Sequence, residues 1–249
     1  MDRFGIEIWP AVLVFARMGS FVMLLPGLGE TFVSPRFRLA VAFMMALVLA
    51  PAAAQVAPGI PTKMGDALGI IFMEMLIGIA LGAVTRLVMS ALATAGQIAS
   101  LQSGLAMGAM FDPTFGGQTP QLQTFMGMLG LAAALAANMH HALIEAAWAT
   151  YERFPPGGRF PVNDWAEYAV LGISNSFSVA MQMSAPLLVF GFLYYAALGV
   201  VSRMLPQIQI FFVAQPLGLL LGLLVFLMSL GVAIGIFLES LERFALEWS

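Results

Sequence analysis

The sequence predicts an all-α, polytopic helical membrane-type protein built from bent or broken helical hairpins, and three observations predict it. Of its 249 residues 61% are hydrophobic and only 9% charged, where a soluble domain carries about 25% charged residues; the mean hydropathy is +0.94. The apolar residues form long uninterrupted runs, and they do not alternate as the strands of a membrane barrel would. Proline and glycine fall inside those runs as well as between them, where they bend or break helices.

A helix needs about 20 mostly apolar residues to cross the apolar core of a bilayer, and charges and turn residues divide the chain on that scale. The first stretch, residues 8–28, ends in Pro26-Gly27-Leu28-Gly29 and the polar Ser34-Pro35-Arg36-Phe37-Arg38 turn. The second, residues 39–54, is closed by Pro58-Gly59-Ile60-Pro61. Residues 65–111 are too many for one span and read as two helices or one long bent helix. After Asp112-Pro113 and a Gly-Gly-Gln-Thr-Pro loop, residues 122–150 read as a single helix that stops at Phe154-Pro155-Pro156-Gly157-Gly158. Two charge-free stretches follow, 168–202 and 204–238, separated by Arg203. Pro186 and Pro216 lie within them and are expected to kink or break both helices. With no repeat and no linker, one helical domain over residues 1–249 is the simplest organisation.

Loop cations orient the molecule poorly, because Arg36/Arg38, Lys63, Arg153/Arg159 and Arg203 are spread over successive connections. That pattern is expected where apolar segments bury themselves against neighbouring protein as well as lipid. The first residues, Met1-Asp2-Arg3-Phe4, lack the basic start of a secretory signal, so the apolar segments read as mature structure.

The 13 acidic and 10 basic side chains give a formal charge of −3, which supplies no basic field for nucleic acid. Zero cysteines remove disulfides, thiolate metal sites and cysteine nucleophiles together. His140-His141 with Glu145 lacks the spacing of a metal motif and reads as a helix end. No nucleophile elbow or phosphate-binding loop occurs. The chain is therefore expected to be no enzyme and to carry no cofactor.

Four-residue spacing links Glu74, Gly78, Gly82 and Arg86, so the two charges stand about three turns apart and cannot pair within their own helix. A lone charge in the bilayer centre costs about 2.5–3.5 kcal/mol even on the lenient insertion scale. Glu74, Arg86, Arg17 and Arg203 are thus expected to find another helix, a subunit or water; the alternative is a helix-end position with the side chain reaching the interface. Pairs such as Gly65/Gly69, Gly78/Gly82, Gly104/Gly108, Gly218/Gly222 and Gly231/Gly235 have the spacing that lets helix backbones approach closely.

Residues 104–118 mix large soft side chains with glycine and end in a proline turn. Met107, Met110, Phe111 and Phe115, around Asp112-Pro113, could form a flexible hydrophobic seal, since Met adapts its shape and apolar rings dewet a constriction. The plainer reading is an apolar turn packed in a core.

The order and spacing of several motifs resemble the FliR family of flagellar export proteins, whose relatives in virulence secretion are called SctT. Arg17 is followed by Pro26-Gly27 and Val33-Ser34-Pro35-Arg36-Phe37-Arg38, similar to the family's Pro-x-Gly and Val-Pro-x-x-x-Arg stretch. Glu74-x3-Gly78-x3-Gly82, Gly96-Gln97-Ile98, Gln102-Ser103-Gly104 and Asp112-Pro113 follow. Ser202-Arg203-Met204-Leu205-Pro206-Gln207-Ile208-Gln209-Ile210-Phe211 resembles the family's Ser-Arg-x-x-Pro-Gln-x-Asn-x-Phe run, with Gln209 in place of Asn. Ala214-Gln215-Pro216-Leu217 departs from the usual Gly-x-Pro-Leu.

The resemblance implies a subunit of the flagellar export gate in the bacterial inner membrane. It implies assembly with FliP-like and FliQ-like subunits in a right-handed helical arrangement, beside FlhB-like and FlhA-like proteins, and passage of unfolded flagellar substrates. It also places a plug loop at residues 104–118. A secondary transporter of a small solute is the rival expectation from broken helices and scattered charges; it predicts an internal repeat and charges gathered at one midplane site. A virulence-type export subunit is the other.

Overall fold

A computed structural model describes residues 2–30, 32–106, 121–158, 162–204 and 210–248. Every regular element among them is helical: α1 (Asp2–Leu24), α2 (Pro35–Ala53), α3 (Met64–Gln102), α4 (Gln121–Ala136), α5 (Met139–Arg153), α6 (Val162–Met204) and α7 (Ile210–Trp248). Four helical stretches are long and apolar enough to cross a membrane, at Pro35–Ala53, Met64–Gln102, Trp165–Met204 and Ala214–Glu247. The broken pair α4–α5 would be a fifth. The chain is thus all-α and polytopic.

Local chemistry accounts for most of the boundaries. α1 stops at Leu24, before Pro26, and the chain turns through Gly27 in the left-handed region at φ 91°. Ser34 caps α2, accepting from the Phe37 amide at 3.3 Å, and Pro35 opens the helix, where its missing N–H costs nothing. α3 is one helix of 39 residues, about 58 Å long at 1.5 Å per residue. Residues 122–150 do not form one helix: they break at Ala137–Asn138, where Asn138 takes φ 57° and ψ 23°. Asn is among the few residues with a side chain that adopt this conformation readily. Pro186 and Pro216 do not end their helices, since α6 and α7 continue through both. Neighbouring polar groups can satisfy what a proline leaves free in an apolar surrounding.

The chain forms two compact units, Met1–Val88 with Asn138–Ile173 and Glu242–Ser249, and Met89–Ala137 with Ser174–Leu241. α3, α6 and α7 each pass from one unit into the other. Among the described charged residues, only Arg203 and Glu239 fall in the second unit.

In the first unit α2 lies on α1 through a stripe of small side chains, Ala42, Ala46, Ala50 and Ala53. It leaves Phe43, Met44, Leu47 and Val48 exposed. Leu13, Val14, Met18 and Phe21 of α1 and Ile77, Leu81 and Val84 of α3 are buried there, with Leu143 and Ala147 of α5. Trp9 Nε1 donates to the Pro58 carbonyl at 3.1 Å and ties the start of α1 to the α2–α3 loop. In the second unit Leu92, Met126, Met183, Leu187, Phe226 and Phe237 are buried, and the Phe125 and Phe226 rings meet edge to face. The glycine pairs divide. Gly78/Gly82 and Gly218/Gly222 face close neighbours, whereas a Cβ at Gly65, Gly69, Gly231 or Gly235 would meet nothing within 4 Å.

Candidate functional site

The first unit holds a buried charge centre on α1. Arg17 is 0% exposed and Glu74 of α3 is 1% exposed, a state that apolar surroundings forbid unless both charges are fully partnered. They are. Arg17 Nε donates to Glu74 Oε2 at 2.7 Å and Nη2 to Oε1 at 3.0 Å, fork to fork. Its Nη1 donates to Thr150 Oγ1 at 3.3 Å and Nη2 also to the Phe154 carbonyl at 2.7 Å. Thr150 belongs to the last turn of α5 and Phe154 follows its end, so a cation sits where orphan carbonyls and the helix dipole favour one. The Tyr151 ring lies 3.9 Å from Arg17 Cζ. One guanidinium thereby joins α1, α3 and the end of α5.

From this centre α3 runs along α1 as a seam with a contact at each four-residue step. Next to Glu74, a Cβ on Gly78 would collide with the Arg17 carbonyl oxygen and with Ser20 Oγ. One turn on, a Cβ on Gly82 would lie 2.5 Å from Leu24 Cβ. Only glycine lets the backbones approach this closely. Ser20 Oγ reaches the Met75 carbonyl at 3.2 Å across the same seam. At its far end Arg86 Nε donates to the Leu24 carbonyl and Nη2 to the Gly29 carbonyl, both at 2.9 Å. Arg86 therefore closes the end of α1 and holds the turn after it.

The seam is a structural joint: Arg17 and Glu74 neutralise each other, and Arg86 spends its positive charge on the backbone carbonyls at the end of α1. Arg203 stands apart, exposed in the last turn of α6. Met107, Met110, Phe111, Asp112, Pro113 and Phe115 lie outside the described residues. The His140 and His141 rings lie 4.1 Å apart, tilted at 52°. Among the described residues no group of three or more His, Cys, Asp or Glu side chains could hold a metal ion.

Reading the sequence alone missed the partner of each charge. Glu74 and Arg86 stand about three turns apart and around the helix from each other, yet both engage α1, one through its carboxylate and the other by donating to backbone carbonyls. A signal was present: Arg17 and Glu74 are opposite charges set inside long apolar runs on neighbouring helices.

The chain matches the model of the bacterial export proteins, family 1, over residues 8–244. It is 41% identical to the flagellar biosynthetic protein FliR of Caulobacter vibrioides, over 91% of each chain. With the flagellar biosynthetic protein FliR of Escherichia coli it shares 33% identity, over 86% of this chain and 80% of the relative. It is also 26% identical to the Yop proteins translocation protein T of Yersinia pestis, over 58% of this chain and 56% of that one. A match that takes in both units and the whole α1–α3 seam identifies the chain as a member of the bacterial export proteins, family 1.

Proposed function

We propose that this chain is a non-enzymatic subunit of the flagellar type III protein export gate, a single export-gate domain of two units that forms part of the channel for unfolded flagellar proteins. One observation carries the reading: the chain is 41% identical over 91% of its length to a protein named for flagellar biosynthesis, with a scaffold whose buried polar groups are used for holding helices together. The flagellar system is favoured over a virulence one because the match to the FliR proteins is closer and covers more of both chains than the match to the Yersinia protein.

The exposed apolar faces support a place in the bacterial inner membrane among partner subunits. Phe177, Val189, Phe192, Leu220, Leu227 and Met228 are large side chains left uncovered on α6 and α7, more than a free surface in water tolerates. FliP-like and FliQ-like subunits, FlhB-like and FlhA-like proteins and lipid are the partners proposed to cover such faces. Met107, Met110, Phe111, Asp112, Pro113 and Phe115 are assigned to a plug loop that closes the channel by dewetting.

Deleting residues 107–117 in the native complex tests this assignment. The complex should still assemble and copurify with its partners, and cells carrying it should leak ions. An assembled deletion complex as ion-tight as the intact one would exclude the plug. Loss of flagella on removal of the whole protein, with the partners still produced, tests the flagellar role.

A further inference from the structure

In the second unit three consecutive residues at the end of α3 are each seated by a different feature of α6 or α7. Gln102 lays its side-chain carbonyl oxygen directly over Gly191 of α6. Ser103, 1% exposed, presses its backbone on α7, because a Cβ at Gly222 would lie 2.8 Å from Ser103 Cα. Gly104 ends the helix at φ 79°, a conformation that side chains resist, and a Cβ there would lie 2.5 Å from Gln215 Nε2 of α7. Gln215 precedes Pro216, where α7 lacks an amide donor. The α7 backbone is braced at this point by Tyr194 of α6: its hydroxyl donates to the Ala214 carbonyl, and its ring occupies the space a side chain at Gly218 would need. Phe190 stacks on Tyr194 at 5.5 Å and also borders Gly222.

We infer that Tyr194 and Gln215 are positioning residues for the channel seal: with Gly191 and Gly222 they form a seat that fixes where α3 ends, and so fix the point from which the next residues depart. The inference rests on the plug assignment made above, and it adds the part of the scaffold that sets the plug's place. Placement matters because a dewetted constriction fails once its apolar groups draw apart by the width of a water molecule. The seat uses close backbone approach, the side-chain amides of Gln102 and Gln215 and one hydroxyl, so it locates the departure point without any residue of the plug itself. Its residues lie about 100 positions apart in sequence from the turn they hold, which is why spacing gave no hint of it.

The test is ion leak and flagellar export in cells carrying the complete complex, with copurification of the partners as the control for assembly. Tyr194→Phe removes one oxygen and Gln215→Leu one amide. Each should raise ion leak several-fold towards that of the deletion of residues 107–117, while assembly stays intact. The natural chain has no cysteine, so a disulfide can be placed cleanly. A Cβ on Gly191 would lie 3.5 Å from Gln102 Cβ, within the span of about 3.5–4.5 Å that a disulfide bridges. Gln102→Cys with Gly191→Cys in the Tyr194→Phe background should be tight when oxidised and leaky again under reductant, a reversal that general destabilisation would not produce. If the deletion leaks but Tyr194→Phe and Gln215→Leu stay as tight as the natural chain, the seat is overturned and the plug stands. If the deletion itself does not leak, both fall.

Discussion

Arg17 and Glu74 meet fork to fork, 57 residues apart in sequence, and neither is more than 1% exposed. Removing one partner strands the other charge in an apolar interior, which costs about 3–5 kcal/mol, whereas replacing both by apolar side chains is often close to neutral. Arg17→Met is therefore expected to lower the amount of protein in membranes sharply, and Arg17→Met with Glu74→Leu to recover much of it. Exchanging the two, Arg17→Glu with Glu74→Arg, should not recover it. A carboxylate on α1 cannot donate to the Phe154 carbonyl, which Arg17 Nη2 holds at 2.7 Å. Quantitative blotting of membranes checks all three.

The glycines of α3 offer a contrast within one helix. Gly78→Ala puts a methyl into the Arg17 backbone, so α1 and α3 must separate and the ion pair beside it must stretch. Overpacking of this kind costs about 1–3 kcal/mol. Gly69→Ala, two turns earlier and in open space, should be tolerated, since alanine suits a helix better than glycine by about 1 kcal/mol. Thermal inactivation of the detergent-solubilised complex should separate the two variants clearly; equal midpoints would show that α1 and α3 are not in backbone contact.

Much of the architecture was legible because helices in an apolar setting are announced by composition. The long apolar runs and the Pro26-Gly27 and Pro155-Pro156-Gly157 stops each have a local cause, whereas Ser34-Pro35, read as part of a polar turn, opens α2. The break at Asn138 was not legible, because the residues around it, Ala136-Ala137-Asn138-Met139, contain neither glycine nor proline. Pro186 and Pro216, expected to kink or break their helices, leave α6 and α7 continuous, because a local rule about one missing N–H is overridden when the surrounding helix and its neighbours keep the other bonds. The charges were legible as a problem, and their solution was not, since the pairing of Arg17 with Glu74, Thr150 and Phe154 depends on three elements brought together by the fold.

Asn138 provides a test of that missed break. With φ 57° it occupies a region where β-branched side chains are genuine outliers. Asn138→Gly should leave the protein level unchanged, and Asn138→Val should reduce it, at a cost of about 1–3 kcal/mol for the strained backbone. If valine were as well tolerated as glycine, the α4–α5 junction would not have this conformation.

Tyr151 separates the roles of a ring and its hydroxyl. The ring faces Arg17 at 3.9 Å and the side chain is 2% exposed, yet its buried oxygen has no hydrogen-bond partner among the described residues. Tyr151→Phe discards only that unpaired oxygen and should be neutral or slightly stabilising, because an unsatisfied buried polar atom costs about 1–3 kcal/mol. Tyr151→Ala should be severe, since loss of a large buried aromatic side chain costs about 3–5 kcal/mol and leaves a cavity beside the guanidinium.

Arg86 is exposed, and its value lies in geometry more than in charge. Two of its nitrogens reach the carbonyls of Leu24 and Gly29, one at the end of α1 and one in the turn beyond it. Lysine keeps the positive charge favoured at a helix C-terminus but carries a single nitrogen, so it cannot span both acceptors in the way a planar fork does. Arg86→Lys should therefore fall between the natural chain and Arg86→Ala, with the alanine variant losing about 1 kcal/mol as is usual for a helix-end contact open to solvent. Limited proteolysis around residues 25–33 in solubilised complex reads this out directly. Cleavage should rise from the natural chain to lysine to alanine. If lysine matched arginine, charge alone would hold the turn, and the two-carbonyl grip would be incidental.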